Sequence, residues 1–267
     1  MRYAVLGTGE VGRTLGTKLA ELGHEVTLGS RTKDNPAALE WARDTGAGAR
    51  AGTFEEAASA AEVVLVAVGG RVALAALEAA GAANLDGKVV LDVSNPLAFE
   101  EGELRLDPVE SDSVGEQIQR AFPHARVVKS LNTVNCKVMV EPSLVPGEHH
   151  IFVCGEDAAA KEQVTALLGE VGWPSHRVLD LGGIRSARAV EMALRLCGIF
   201  MPAREQSKSN LIRVLHEARL PMRELGRRHT ESGLFTQPAD ITMLREDELD
   251  AFVADPAASV PTIAERW

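Results

Sequence analysis

Residues Gly7–Gly12 read GTGEVG, directly behind the short apolar run Tyr3-Ala4-Val5-Leu6 and ahead of the helix-like stretch Val11–Leu22. A strand, a turn with three glycines at this spacing and a helix form the opening of a βαβ unit of about 30 residues. The glycine pattern alone is weak; its placement between a strand and a helix is what constrains the fold. In that setting each glycine has its own reason. Gly7 permits the tight turn, Gly9 keeps a Cβ out of the space a diphosphate would enter, and Gly12 lets the helix pack closely on the strand. Amides at the helix start point at such an anion and the helix dipole favours it. A glycine turn without a ligand is the competing reading.

The rest of the chain repeats the rhythm. Apolar, β-branched runs recur at Arg2–Leu6, Glu25–Leu28, Val63–Val68, Lys88–Val93, Arg126–Ser130 and His150–Cys154, with stretches rich in Ala, Leu and Glu between most of them. Runs apolar throughout suit parallel strands covered on both faces. The pattern predicts an α/β fold, a doubly wound parallel sheet of the Rossmann type with about six strands. A βα unit through Gly169 and Asp180 extends the sheet, and a helical C-terminal extension follows. The expected domains are 1–201, ending in a helix over Ile184–Met201, and 202–267, with the boundary near Pro202–Ser207.

Composition excludes several classes. A formal net charge of −10 argues against a general nucleic-acid or membrane-surface binder, because phosphates and anionic headgroups would be repelled by most of the surface. No signal-peptide core and no run near the length of about 20 residues needed to span a membrane is present, which makes a cytoplasmic location the expectation. Cys136, Cys154 and Cys197 lie far apart and suit neither a disulfide framework nor a zinc site; they read as small buried hydrophobes.

The second apolar run ends in VTLGSRTKDN. A site for NAD would place Asp or Glu there, on the ribose 2′-hydroxyl; this chain has Gly29-Ser30-Arg31-Thr32-Lys33. Arg31 can hold a 2′-phosphate bidentately, the Ser30 hydroxyl can donate to it, and Lys33 adds charge. NADP(H) is favoured over NAD(H), against the alternative of a solvated basic loop. Tyr3, the single tyrosine, lies inside the first strand run, so the Tyr and Lys pair of short-chain dehydrogenases has no counterpart. His149-His150 lacks a carboxylate at ligand spacing and reads as a surface pair, so no metal is expected.

Three further stretches, LDVSNPL (Leu91–Leu97), VVKSLNTVNCKVM (Val127–Met139) and CGEDAAAKEQV (Cys154–Val164), the last leading into LDLGGIRSARAVEMAL (Leu179–Leu194), follow GTGEVG and GSR in order. Over about residues 1–201 this set resembles the NADP oxidoreductases dependent on coenzyme F-420, a family similar in its nucleotide domain to the ferric reductases of metazoan membranes. The resemblance implies reversible hydride transfer between NADP(H) and the deazaflavin F-420, with no catalytic acid or base. It further implies that Gly7, Thr8, Gly9, Glu10, Val11 and Gly12 carry the diphosphate and that Ser30, Arg31 and Lys33 carry the 2′-phosphate. Val68, Gly69, Ser94, Asn95 and Pro96 would line the ribose and nicotinamide side, while Asn132, Thr133, Val134 and Asn135 face the second ring. Lys129, within a strand run, reads as structural or phosphate-facing rather than as a catalytic ammonium. The chain departs from members of methane-forming archaea at Asn132, where they have His, and at Gly69-Gly70-Arg71. A homodimer through the helical region near residue 201 is the implied assembly; the alternative is that the tail covers that helix within one chain.

The tail changes character. Leu211, Leu215, Ala218, Met222 and Leu225 form one apolar stripe that Pro221 would kink, and QPADITMLREDELDAFVADP reads as a turn, a short extended piece and a helix over Glu246–Ala254. Arg223, Arg227 and Arg228 read as a solvated face, since no aromatic platform accompanies them. The tail resembles the helical linker of PEP-utilising enzymes, without their phosphohistidine domain. Three readings stay open: an NADP(H)-dependent oxidoreductase, a catalytically silent NADP(H)-binding module, and a remnant whose tail serves interactions. Because a charge-assisted hydrogen bond contributes about 1.5–3 kcal/mol, Arg31→Ala is expected to weaken NADPH binding at least about tenfold and hardly touch NADH in calorimetric titrations. Equal losses for both cofactors would refute the assignment.

Overall fold

A computed structural model describes residues 1–100, 103–106, 111–193, 224–243 and 248–265. The chain divides into two units, Met1–Gly198 and Ile199–Trp267.

The first unit alternates strands and helices. In chain order these are β1 (Arg2–Leu6), α1 (Glu10–Glu21), β2 (Glu25–Ser30), α2 (Pro36–Thr45), β3 (Ala49–Thr53), α3 (Phe54–Ala60), β4 (Val63–Val66), α4 (Ala73–Ala80), β5 (Val89–Asp92), β6 (Leu97–Glu100), β7 (Glu103–Leu106), α5 (Val114–Ala121), β8 (Arg126–Ser130), α6 (Cys136–Val140), β9 (Ile151–Cys154), α7 (Ala158–Glu170) and β10 (Val178–Asp180). One 8-stranded sheet has the order β10-β9-β8-β5-β4-β1-β2-β3, and β6 and β7 form a separate antiparallel pair. From β3 through β8 this is the doubly wound order, with its reversal between β1 and β4.

Burial on both faces explains why the strands lack alternation. In β1, Tyr3 and Val5 join the cluster that holds Leu15 and Leu19 of α1, while Ala4 and Leu6 join the one that holds Phe54 of α3 and Leu77 of α4. Every central position of β1 meets a helix.

Three expectations need correction. The sheet gains β3, whose sequence ARAGT is too small and polar to read as a strand but pairs in parallel with β2 at the edge. The sheet is not parallel throughout, since β9 runs antiparallel to β8. The connection through the five-residue α6 and Pro142 brings the chain into β9 from the same end. In the tail, Pro238–Met243 forms a 3-10 helix rather than an extended piece.

Ile184–Ser186 forms a 3-10 turn that continues into helical residues 187–193. The remainder of the helix expected to Met201, Cys197, and the apolar stripe from Leu211 to Met222 lie outside the described residues. Cys136 and Cys154 are free and buried. In the second unit Phe235, Phe252 and Ile263 form a small core with Leu225, Leu234, Met243 and Val260 packed against it. Arg227 and Arg228 both pair with Glu224, and Arg227 also pairs with Glu231, so these cations are spent on their own helix. Among the described residues no helix is long and apolar enough to cross a membrane.

Candidate functional site: a cleft at the sheet reversal

Where the winding reverses, the loops after β1 and β4 diverge and leave a crevice at the carboxyl ends of the strands. The crevice holds a cleft of about 570 Å³ lined by Gly7, Thr8, Gly9, Ser30, Arg31, Val68 and Gly69, together with Asn35, Phe54, Ala67, Val72, Ala75, Ala76 and Ala79. Seven residues singled out by sequence therefore share one wall. The apolar side was missed. Val72, Ala75, Ala76 and Ala79 recur at helical spacing, a signal that could have found it.

The three glycines of the β1–α1 turn can now be told apart. Gly7 has φ +127, a conformation that favours glycine, and a Cβ there would lie 2.6 Å from the Ala67 carbonyl oxygen. At Gly12 a Cβ would lie 2.0 Å from the Gly7 carbonyl oxygen, so only glycine lets α1 settle on the turn. At Gly9 a Cβ would meet nothing within 4 Å. Packing explains the first and third glycines and makes no demand on the second.

The helix start carries the same message. Side chains of Asn35, Thr53, Ser113, Asn135 and Asp157 cap α2, α3, α5, α6 and α7. Gly9, the N-cap of the 12-residue α1, offers no side chain, so the first amides of α1 stay available for an anion. Glu10 is exposed, Val11 half-buried and Gly12 buried, and none of the three lines the cleft.

The end of β2 is fixed beside this turn, because the Gly7 amide donates to the Gly29 carbonyl at 3.0 Å. Arg31 lines the cleft, and its guanidinium has no hydrogen bond or ion pair among the described residues. Ser30 is buried and its hydroxyl donates to the Thr32 carbonyl, so toward a ligand it acts as an acceptor unless that bond is exchanged. Lys33 does not reach the cleft wall. Its ammonium sits 2.8 Å from Glu56, whose carboxylate also closes the capping box of α3; the hydrogen bond to Lys33 and that to the Thr53 amide hold Glu56 below the usual carboxylate range.

The remaining expected residues gather at the ends of β5 and β8, apart from the cleft lining. Asn95 and Asn132 interlock: Asn132 Nδ2 donates to Asn95 Oδ1 at 2.9 Å and to the Val190 carbonyl at 3.0 Å, while Asn95 Nδ2 donates to the Asn132 carbonyl at 2.8 Å. Asn132, expected to face the second ring, is 3% exposed and its amide nitrogen is spent on the protein. Asn135 caps α6, Thr133 is half-buried, and Val134 packs partly against the core. The Gly70 amide donates to the Asn95 carbonyl at 3.0 Å, which joins this loop to the one after β4. Pro96 is buried beside it.

Beneath the loop lies a group of charges only partly visible in the sequence. Lys129 Nζ is 2.8 Å from Asp92 Oδ2 and 2.8 Å from Glu191 Oε1. Burial opposes the Lys129 charge, yet the two carboxylates outweigh it and hold the ammonium above its ordinary value. Burial pushes Glu191 up, and Lys129 offsets only part of that. The structural reading of Lys129 fits this enclosure.

The fold and the cleft define a dinucleotide-binding domain of the Rossmann class. Residues 2–96 match the family described as NADP oxidoreductase, coenzyme F420-dependent. The metalloreductase STEAP3 of Rattus norvegicus is 33% identical over 198 residues, 73% of this chain, and the chain covers 37% of that relative's length. The F420-dependent NADP reductase of Methanothermobacter marburgensis is 26% identical over 201 residues, 72% of this chain and 88% of the relative. A solved structure of a candidate F420-dependent NADP-reductase from Arthrobacter sp. FB24 is 46% identical, has a TM-score of 0.70, and is matched over 95% of its length by 75% of this chain. The chain belongs to this family of NADP oxidoreductases.

The glycine analysis separates fold from ligand. Gly12→Ala is expected to lower Tm by roughly 6–12 °C, the equivalent of about 3 kcal/mol of overpacking. Gly9→Ala should leave Tm within about 2 °C and weaken NADPH binding about tenfold or more. Thermal melts and titrations of both variants check this; equal binding by Gly9→Ala and the parent would contradict it.

Proposed function

We propose that this chain transfers hydride between NADP(H) and a deazaflavin, coenzyme F-420, or an acceptor of similar chemistry. The observation that carries the reading is the pairing, in one cleft, of a helix start without a side-chain cap and an arginine without a partner among the described residues, at a strand end that lacks an acidic residue. The first suits a diphosphate, the second a 2′-phosphate. The open space at Gly9 and the apolar side formed by Val72 and Ala76 suit the body of a dinucleotide.

Bound NADPH would supply the hydride. The protein's part is binding and orientation, which can contribute several kcal/mol of a barrier without an acid or base. The α1 amides and Arg31 neutralise phosphate charge in an acidic chain. Lys33 can add charge by releasing Glu56, an exchange of exposed groups with little energetic consequence. The interlocked Asn95 and Asn132 tie the loops after β5 and β8 to each other. Cytoplasmic location, expected from the sequence pattern, and a homodimer through the region near residue 201, which rests on the family resemblance, belong to the same reading.

One observation favours a second reading, a silent NADP(H)-binding module: the commitment of Asn132 to Asn95 and Val190. The relatives also differ in the acceptor their names state. The test mixes the purified chain and NADPH with F-420, FMN, a quinone or a ferric chelate and follows loss of nicotinamide absorbance. Turnover with F-420 at about 1 per second or faster is expected. Tight NADPH binding with no turnover on any acceptor would overturn the catalytic reading and leave the module.

A further inference from the structure

Lys129, Asp92 and Glu191 form a buried ion cluster. Asp92 and Lys129 are directly paired positions of β5 and β8, and Glu191 reaches them from helical residues 187–193. Lys129 and Asp92 are 0% exposed and Glu191 2%. Well-packed apolar residues in such places are commonly as stable or more so, so folding alone does not call for three charges here.

The cluster converges on one residue. Lys129 Nζ donates to the Ser94 carbonyl at 2.6 Å, and Asp92 Oδ1 accepts from the Ser94 amide at 2.9 Å. Both backbone polar groups of Ser94 are thereby held by buried charge. Asn95, next in the chain, is clamped by Asn132 and by the Gly70 amide. Glu191 also accepts from the Val114 and Gly115 amides at 3.1 and 3.4 Å, which anchors the start of α5 at the same point. Leu131, which follows β8, has φ +63, a strained value for a bulky residue of the kind found where surrounding structure holds a site in shape. Among the described residues the buried Ser94 hydroxyl has no hydrogen-bond partner.

A doubly wound sheet binds the two halves of a dinucleotide on either side of its reversal. With the 2′-phosphate contact after β2, the other half falls on the side of β4, β5 and β8, toward the turn Ser94–Pro96. We infer that Lys129, together with Asp92 and Glu191, is a positioning residue: it holds that turn as a rigid support for the nicotinamide half, while affinity comes from the adenosine half at Arg31. The inference rests on the NADP(H) reading. Without Lys129 two buried carboxylates would face each other, and the turn and residues 187–193 would be driven apart.

The test uses the full chain and two variants, Lys129→Met and the isosteric Asp92→Asn, with folding checked by circular dichroism. Two probes separate the halves. Adenosine 2′,5′-bisphosphate reports the adenosine half, and the fluorescence enhancement and anisotropy of bound NADPH report the nicotinamide. The adenosine probe should bind a folded variant within about threefold of the parent, as for independent sites, while the nicotinamide signal falls by about half or more. Asp92→Asn carries the test if Lys129→Met does not fold. An unchanged nicotinamide signal, or equal loss with both probes, overturns the positioning role. Failure of the parent itself to bind the adenosine probe would instead overturn the NADP(H) reading.

Discussion

The approach of α1 to the carbonyl of Gly7 is the constraint on which the site depends. A Cβ at Gly12 would lie 2.0 Å from that oxygen, so the helix can sit on the turn only because residue 12 is glycine. Once seated, α1 presents its uncapped amides over the sheet reversal. The hydrogen bond from Gly7 to Gly29 then places the end of β2, with Ser30 and Arg31, at the edge of the same opening. Strand order, helix start and basic loop act as one unit.

Polar groups are used in two opposite ways on the two sides of this unit. On the side of β2, groups are left open: bare amides and an arginine with no protein partner among the described residues. On the side of β5 and β8, groups are closed upon one another. Lys129, Asp92 and Glu191 exclude water, and Asn95 and Asn132 consume each other's hydrogen bonds. Open groups suit affinity for a charged ligand; closed ones suit rigidity where geometry decides the outcome. This division agrees with chemistry in which a cofactor brings its own reactivity and the protein supplies placement.

Much of this could be read along the chain because the determinants are local. Gly7, Gly9 and Gly12 act within one turn, and Ser30 and Arg31 follow directly from a strand end. What escaped depends on distance. The link of Asp92 to Lys129 spans 37 residues and exists because the strand order sets β5 beside β8; each residue alone was merely a charge in an apolar run. Glu191 gave no local sign. The pairing of Lys33 with Glu56 of α3 spans 23 residues and was likewise invisible along the chain. The reversal at β9 gave no local sign, and β3 was hidden by glycine and alanine at the edge of the sheet.

The most direct measurement is a crystal structure of the chain with NADP⁺ bound. The account predicts the 2′-phosphate about 3 Å from the Arg31 guanidinium and the diphosphate on the first amides of α1 above Gly9. A cofactor with its 2′-phosphate turned away from Arg31, or a diphosphate held anywhere but the start of α1, would contradict it.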